Sequence, residues 1–207
     1  MNELFISAFI TFFVAIDPPG CAAIYASLTT DASAKERRAM AIRAIIISTI
    51  ILMFFGYFGQ ALLSSMGVTL DSFRIAGGVM LFIIALEMVF EKRTQRREGR
   101  AQEVIDAPEI EDVSVFPMAM PMIAGPGSIA AVMLYMARAD GYGDQLQVLG
   151  AMAAVLLLML VSLLAAGPLI RIMGQRVETV ITRVLGVILA ALAAQFIIDG
   201  LKGSFGL

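Results

Sequence analysis

The chain has 207 residues, of which 59% are hydrophobic and 15% are charged, and its formal net charge is −2. A composition this apolar predicts an integral membrane protein and excludes an ordinary soluble domain. The sequence has no histidine and one cysteine, Cys21, which excludes an internal disulfide and a cysteine-based metal cage. We expect no metal, no cofactor and, without a basic face, no nucleic-acid partner.

Six apolar segments are each long enough to cross a bilayer, for which a helix needs about 20 residues. They cover residues 4–28, 39–63, 73–90, 115–137, 146–170 and 184–201. The connections between them are mostly short, which leaves no room for a soluble domain. The sequence therefore predicts an all-α membrane protein with six transmembrane helices, forming a single domain over residues 1–207.

The first segment is interrupted by DPPG at residues 17–20, and Asp17 is the only charged residue between positions 4 and 30. Proline removes a helical N–H and clashes with the carbonyl four residues before it, while glycine frees the backbone. We therefore predict a broken helix with Asp17 near the bilayer midplane. Non-helical backbone at this depth is tolerated only where it is buried or lines a polar cavity.

The third segment contains the pair Gly77 and Gly78, and the sixth contains an alanine-rich stretch at residues 190–194, two features that predict close helix packing. The connection after the third segment, residues 91–112, is basic first and acidic later. Its basic cluster allows two interpretations, a site for anionic lipid headgroups or a solvated tether that fixes topology. We predict the tether.

The fourth segment carries a second interruption, AGPG, at residues 124–127. A shift of 107 positions lays Pro-Gly at 126 and 127 over Pro-Gly at 19 and 20, and similar shifts align the other two helix pairs. Each half has three crossings, an odd number, so the halves run through the membrane with opposite polarity. This pattern predicts an inverted repeat: a first repeat over residues 1–90, a linker over 91–112 and a second repeat over 113–207.

Basic residues are distributed unevenly among the connections. If the N-terminus lies outside, 12 of the 15 basic residues belong to the connections after the first, third and fifth segments. Since positive residues concentrate on the cytoplasmic side, both termini are predicted to lie outside.

The two interruptions offer ligand groups of opposite charge. The half-helix that restarts near Gly20 and Cys21 is expected to present free N–H groups to a carboxylate, and the carbonyls before Asp17 suit an ammonium. Gly127 and Ser128 begin the corresponding half-helix, where the hydroxyl either caps it or contacts a ligand. Asp17 has two compatible roles, as a helix cap or as a group that binds the substrate amine or carries a proton. A kink that only shapes packing is the alternative for either motif.

Three stretches, DPPG, RIAGGVMLFIIALEM and FPMAMPMIAGPGSI, resemble the MarC family, which overlaps the small neutral amino acid transporters. The resemblance covers essentially the whole chain, and it implies a six-helix protein of the bacterial inner membrane that moves glycine, alanine and similar amino acids. One departure is Cys21, where the family commonly has asparagine. Carried onto this sequence, the resemblance and the residue chemistry give these substrate-site residues: Asp17, Pro18, Gly20, Cys21, Gly125, Pro126, Gly127 and Ser128.

We therefore expect a secondary transporter of small neutral amino acids, with its site at the midplane and with proton or sodium coupling. A passive channel or a membrane component without a transport role is the alternative. An intramembrane enzyme is disfavoured, because Asp17 and Asp199 belong to different depths and no nucleophile with a base accompanies them.

Overall fold

The computed structural model describes residues 2–105 and 112–206, and their side chains except at positions 2, 94, 104 and 169–178. The regular elements within these residues are helical, although Phe116 and Met120 have extended backbone within the segment Ser114–Ile123. In chain order they are α1 (Asn2–Ile16), α2 (Pro18–Leu28), α3 (Ala34–Ser65), α4 (Leu70–Val89), α5 (Lys92–Ile105), a π-type segment (Ser114–Ile123), α6 (Pro126–Arg138), α7 (Tyr142–Leu164) and α8 (Ala166–Phe205).

Five apolar helical stretches of the described chain are long enough to cross a membrane, and α1 with α2 counts as one of them, Glu3–Leu28. The π-type segment and α6 are bent by 53° at their junction and give a sixth span when they are taken together. Each of these stretches overlaps one of the six predicted segments. The structure therefore confirms an all-helical chain with five or six candidate membrane spans.

The fifth and sixth predicted segments differ in their bounds from the helices. α7 ends at Leu164, six residues before the predicted end, and α8 begins at Ala166. Pro168 lies in the first turn of α8, where proline needs no N–H partner and its fixed φ suits a helix. The chain therefore breaks at Ala165 and restarts, instead of continuing α7 through residue 170.

Among the described helices, the most extensive packing is that of α4 against α8. A Cβ atom placed on Gly78 would lie 2.9 Å from the carbonyl oxygen of Ala193, and one on Gly186 would lie 3.0 Å from that of Ala85. The two backbones approach this closely because each helix presents a glycine to the other. The predicted packing role of Gly78 and the 190–194 stretch is confirmed.

α1 is joined to α6 by a buried polar cluster around Tyr135. The Tyr135 hydroxyl lies 2.6 Å from the Ser7 hydroxyl and 2.9 Å from that of Thr11. Its ring packs against Phe12 and Phe196. Because the phenol finds hydrogen-bond partners while its ring is buried, this cluster holds the two broken spans side by side.

Candidate functional site

The first span breaks at a single residue. α1 ends at Ile16 and α2 begins at Pro18, while Asp17 between them has φ 60° and ψ 68°, in the left-handed region. Within the span Glu3–Leu28, 14 residues precede Asp17 and 11 follow it. The predicted break is confirmed, but α2 starts at Pro18 instead of near Gly20, because proline is well suited to the first helical position.

The break leaves three backbone carbonyls without their helical partners. In a continuous helix the N–H groups of residues 18, 19 and 20 would bind the carbonyls of Val14, Ala15 and Ile16. Two of those residues are prolines and have no N–H, and the Gly20 N–H is donated to the Asp17 carboxylate at 3.3 Å. The ladder resumes only at Cys21, whose N–H donates to the Asp17 carbonyl at 3.0 Å.

Two arginines from α5 bind these carbonyls. Arg93 donates to the carbonyl of Val14 at 3.1 Å and to that of Ala15, and Arg97 donates to that of Ile16 at 3.3 Å. Both arginines are only 6% exposed. Guanidinium groups are well suited to this position because each presents several N–H donors in a fixed fork.

The Asp17 carboxylate completes the cluster. Its Oδ2 atom accepts from Arg97 Nη1 at 2.7 Å, and the carboxylate is 5% exposed as part of a buried ion pair. The Cys21 thiol donates to the Ile16 carbonyl at 3.3 Å, so the thiol and Arg97 share one acceptor. We call the carbonyls of residues 14–16, together with the Asp17 carboxylate, the cation cradle.

Arg93 carries its charge at neutral pH in spite of its burial. Removal from water lowers the pKa of Arg93 to about 10, and the neighbouring Arg97 charge acts in the same direction while Asp17 opposes both. This pKa is still well above 7, so the cradle holds two guanidinium cations against one carboxylate and three carbonyl dipoles.

The arrangement corrects the interpretation of the 91–112 linker as a solvated tether, which is wrong for Arg93 and Arg97. They lie one turn apart on α5, and Ala101 continues the same buried face. Lys92, Gln95 and Glu98, on the other faces of the helix, are exposed. The acidic part of the linker at 106–111 lies outside the described residues.

The expectation that α2 presents free N–H groups to an anion is also wrong. The first two positions of α2 are prolines, and the third N–H is capped by Asp17. The capping role predicted for Asp17 is confirmed at Gly20. The Asp17 side chain does not cap Cys21, because the N–H of that residue binds the Asp17 main-chain oxygen.

The second break joins the π-type segment to α6 through Ala124 and Gly125. Gly125 is the residue before α6 and provides no side-chain cap, while Pro126 occupies the first turn. The early N–H groups of α6, at Gly127 and Ser128, therefore have no helical acceptor. The Ser128 hydroxyl is 1% exposed and makes no hydrogen bond within the described chain. An unpartnered buried hydroxyl beside free N–H groups is suited to an anionic ligand.

The glycines of the predicted site face different neighbours. A Cβ atom on Gly20 would lie 2.5 Å from Asp17 Oδ2, so glycine makes room for the ion pair. One on Gly125 would clash with the Pro121 carbonyl, which requires glycine at this close approach. Gly127 packs against the Ile84 side chain of α4. A larger residue at 127 would therefore displace the end of the Ile84 side chain.

The eight predicted residues form two groups. Asp17, Pro18, Gly20 and Cys21 belong to the cation cradle and its cap, and the four residues at 125–128 belong to the start of α6. No hydrogen bond between described residues joins the two groups. α1 packs against α6, and α2 against the π-type segment, so the two breaks belong to neighbouring elements.

A cavity of about 680 Å³ opens at the other end of α2 and is lined by Tyr25, Thr29, Arg37, Arg38 and the end of α7, among others. None of the eight predicted residues lines it.

Asp199, which the sequence offered as a catalytic partner of Asp17, has other partners. Its Oδ1 atom accepts a hydrogen bond from the Gln195 amide at 2.7 Å, and its Oδ2 atom lies 3.9 Å from Arg138 Nη1.

Arg93 and Arg97 are the site residues that the sequence analysis missed. Two signals were present: the three carbonyls that the DPPG break must free, and the spacing of Arg93, Arg97 and Ala101 along one face of a helix. Neither signal indicated that the two features meet, because 76 or more residues separate Arg93 and Arg97 from Asp17.

The chain matches known sequences along its length. The profile described as "MarC family integral membrane protein" matches residues 2–205. A UPF0056 membrane protein of Methanocaldococcus jannaschii is 36% identical, and the alignment covers 98% of this chain and 98% of the relative. UPF0056 membrane proteins of Bacillus subtilis and Escherichia coli are 34% and 32% identical, with 99% and 95% of this chain and 97% and 91% of the relatives covered. No solved structure matches the chain. This protein therefore belongs to the MarC family of integral membrane proteins.

Proposed function

We propose that the chain is a secondary transporter of small neutral amino acids such as glycine and alanine. In this proposal residues 1–90 and 113–207 are two inverted repeats joined by the 91–112 linker. Both termini lie outside the bacterial inner membrane, and the substrate binds near the midplane between the two breaks.

The observation that carries the proposal is the pair of oppositely polar breaks in neighbouring spans. The break at Asp17 frees three carbonyls beside a carboxylate, and it already holds cations in the form of guanidinium groups. The break at Gly125 leaves the free N–H groups of α6 and the unpartnered Ser128 hydroxyl. An amino acid zwitterion carries an ammonium group that suits the first break and a carboxylate that suits the second.

Asp17 is the coupling candidate. It is the one acid at the centre of the span Glu3–Leu28, and ionisable groups inside membranes commonly bind substrate or carry protons. In the proposal it holds the substrate ammonium, and a proton or a sodium ion compensates its charge during the transport cycle.

The test is exchange across sealed liposomes that contain the purified protein. Labelled glycine or alanine is added outside to vesicles loaded with unlabelled alanine, with and without a pH or sodium gradient. We expect saturable exchange that is faster under one of the gradients. Flux without saturation would favour the alternative of a passive channel, and no uptake or exchange under any gradient would contradict amino acid transport.

The variant Ser128→Ala tests, in the same assay, whether the Ser128 hydroxyl binds the substrate. It removes a buried hydroxyl that has no partner in the described chain, so we expect unchanged or slightly raised thermal stability. A hydrogen bond to a charged group contributes about 1.5–3 kcal/mol, so the apparent affinity should fall about tenfold or more. Ser114→Ala is the matched control, since Ser114 is also a buried serine and begins the π-type segment, at the end farthest in the chain from the second break. Equal effects of the two substitutions would exclude a specific role for Ser128.

A further inference from the structure

α5 lies between the two broken spans. It packs against α2 and α4 of the proposed first repeat and against the π-type segment of the second. Its buried side chains in the described part of the chain are Arg93, Arg97 and Ala101, two of which are charged. The helix is therefore docked mainly by polar contacts with the cation cradle, and only slightly by apolar burial.

These contacts use the atoms that the proposed function assigns to the substrate ammonium. Arg93 and Arg97 together bind all three freed carbonyls, and Arg97 also binds the Asp17 carboxylate. Resting on that proposed function, we propose that α5 is an intrachain gate. Its guanidinium groups occupy the cradle in the closed state, and a substrate ammonium replaces them when α5 moves away.

In the exchange one ammonium replaces two guanidinium cations, so the summed charge of the cation cradle and its ligands falls from +1 to zero. The three N–H donors of an ammonium can bind three of the four acceptors that the two arginines bind, so the cradle keeps most of its partners. If α5 left an empty cradle, three buried carbonyls and a carboxylate would lose their donors, which is costly. The gate therefore opens only with substrate present, and the transporter works as an exchanger with little leak.

The ion pairs described on and beside α5, apart from the Arg97–Asp17 pair, oppose its movement only weakly. Arg96 pairs with Glu87 at 2.6 Å, and Arg183 pairs with Glu91 at 2.6 Å. Both arginines are about half exposed, and pairs of this kind contribute little to stability. Glu91, at the junction between α4 and α5, has φ 61° and forms the turn about which α5 would swing.

The single cysteine of the chain provides the probe. Cys21 is fully buried, and its thiol shares the Ile16 carbonyl with Arg97. Since α5 packs against α2 and Arg97 shares the acceptor of the thiol, the proposed gate exposes this thiol when α5 departs. The experiment measures the rate at which a small methanethiosulfonate reagent modifies Cys21 in the purified, detergent-solubilised protein, without any transport substrate.

Arg93→Ala/Arg97→Ala is expected to accelerate modification of Cys21 at least tenfold, because α5 loses its docking bonds. The control Lys92→Ala/Arg100→Ala removes the same charge from α5 without touching the cradle and should stay within twofold of the wild type. Gel filtration and a melting curve establish that each variant is folded. If the double alanine variant does not fold, Arg97→Lys, which keeps the charge but loses the fork, should give an intermediate acceleration.

Unchanged rates in the folded arginine variants, or equal acceleration in the control, would overturn the gate. The outcome is separable from that of the proposed function. Faster modification of Cys21 without amino acid exchange in liposomes would retain a mobile α5 and reject the amino acid substrate. Exchange without faster modification would retain the transporter and reject the gate.

Discussion

Asp17 performs three tasks through different atoms. Its backbone takes the left-handed turn, one carboxylate oxygen caps Gly20, and the other pairs with Arg97. Asparagine and aspartate tolerate left-handed backbone better than most residues, so the turn and the cap explain a short polar side chain there. Only the ion pair with Arg97 explains why this side chain is charged.

This division of tasks predicts a coupled pair. Asp17→Asn keeps the turn and the cap but leaves a buried guanidinium without its counter-charge, which costs about 3–5 kcal/mol in comparable buried pairs. Arg97→Gln leaves the carboxylate unpaired. We expect each single variant to melt at a clearly lower temperature, and the double variant Asp17→Asn/Arg97→Gln to recover part of that loss.

The measurement is a double-mutant cycle on thermal unfolding of the purified protein in one detergent. Additive losses in the double variant would mean that the Asp17–Arg97 contact makes no energetic contribution of its own.

At the scale of elements, proline and glycine decide where each broken helix stops. Pro18 and Pro19 have no N–H to donate to the last carbonyls of α1. Those carbonyls therefore require another source of hydrogen bonds. α5 supplies that source with side chains, since no backbone in the described chain binds those three carbonyls. The break in the first span and the amphipathic linker helix are therefore one structural unit.

The close approach of α4 and α8 leaves no room for a side chain at Gly78. Gly78→Ala would push a methyl group against the Ala193 carbonyl and the Ile197 side chain, so it should destabilise the protein by about 1–3 kcal/mol through overpacking. Gly150→Ala in α7 is the control, because its Cβ would meet only a Phe5 ring atom at an ordinary 3.8 Å. We expect that variant to be as stable as the wild type or more so.

Apparent melting temperatures in detergent compare the two variants. If Gly150→Ala lowers the melting temperature as much as Gly78→Ala does, tight α4–α8 packing is not the cause.

At the scale of the whole molecule, the proposed orientation follows from the placement of basic residues. An even number of crossings puts both termini on one side, and the positive-inside rule makes that side the outer one. The test uses single cysteines in a Cys21→Ala background and an impermeant maleimide on intact cells. The introduced cysteines lie at four exposed positions: Glu3, Ser204, Lys35 and Glu98.

We expect labelling at positions 3 and 204 in intact cells, and at 35 and 98 only after lysis. The reverse pattern would show that the protein has the opposite orientation in the membrane. Labelling of positions 3 and 204 on opposite sides would require an odd number of crossings.

The sequence predicted most of the membrane architecture because its signals are local. A run of about 20 apolar residues predicts a membrane span whatever the rest of the chain does. Likewise, Asp17 followed by two prolines breaks a helix without the help of any distant residue. The same holds for Gly125 and Pro126 in the fourth segment. These features are fixed within about a helical turn, so the predicted spans and breaks agree with the helices.

Only the tertiary structure decided what fills the first break. The carbonyls of residues 14–16 need donors, but the sequence does not specify whether water, substrate or another part of the chain provides them. α5 brings Arg93 and Arg97 there, where a carboxylate and three carbonyls offset the cost of removing the two charges from water. Chain chemistry alone thus determined that the helix breaks, and long-range packing determined that the break is occupied.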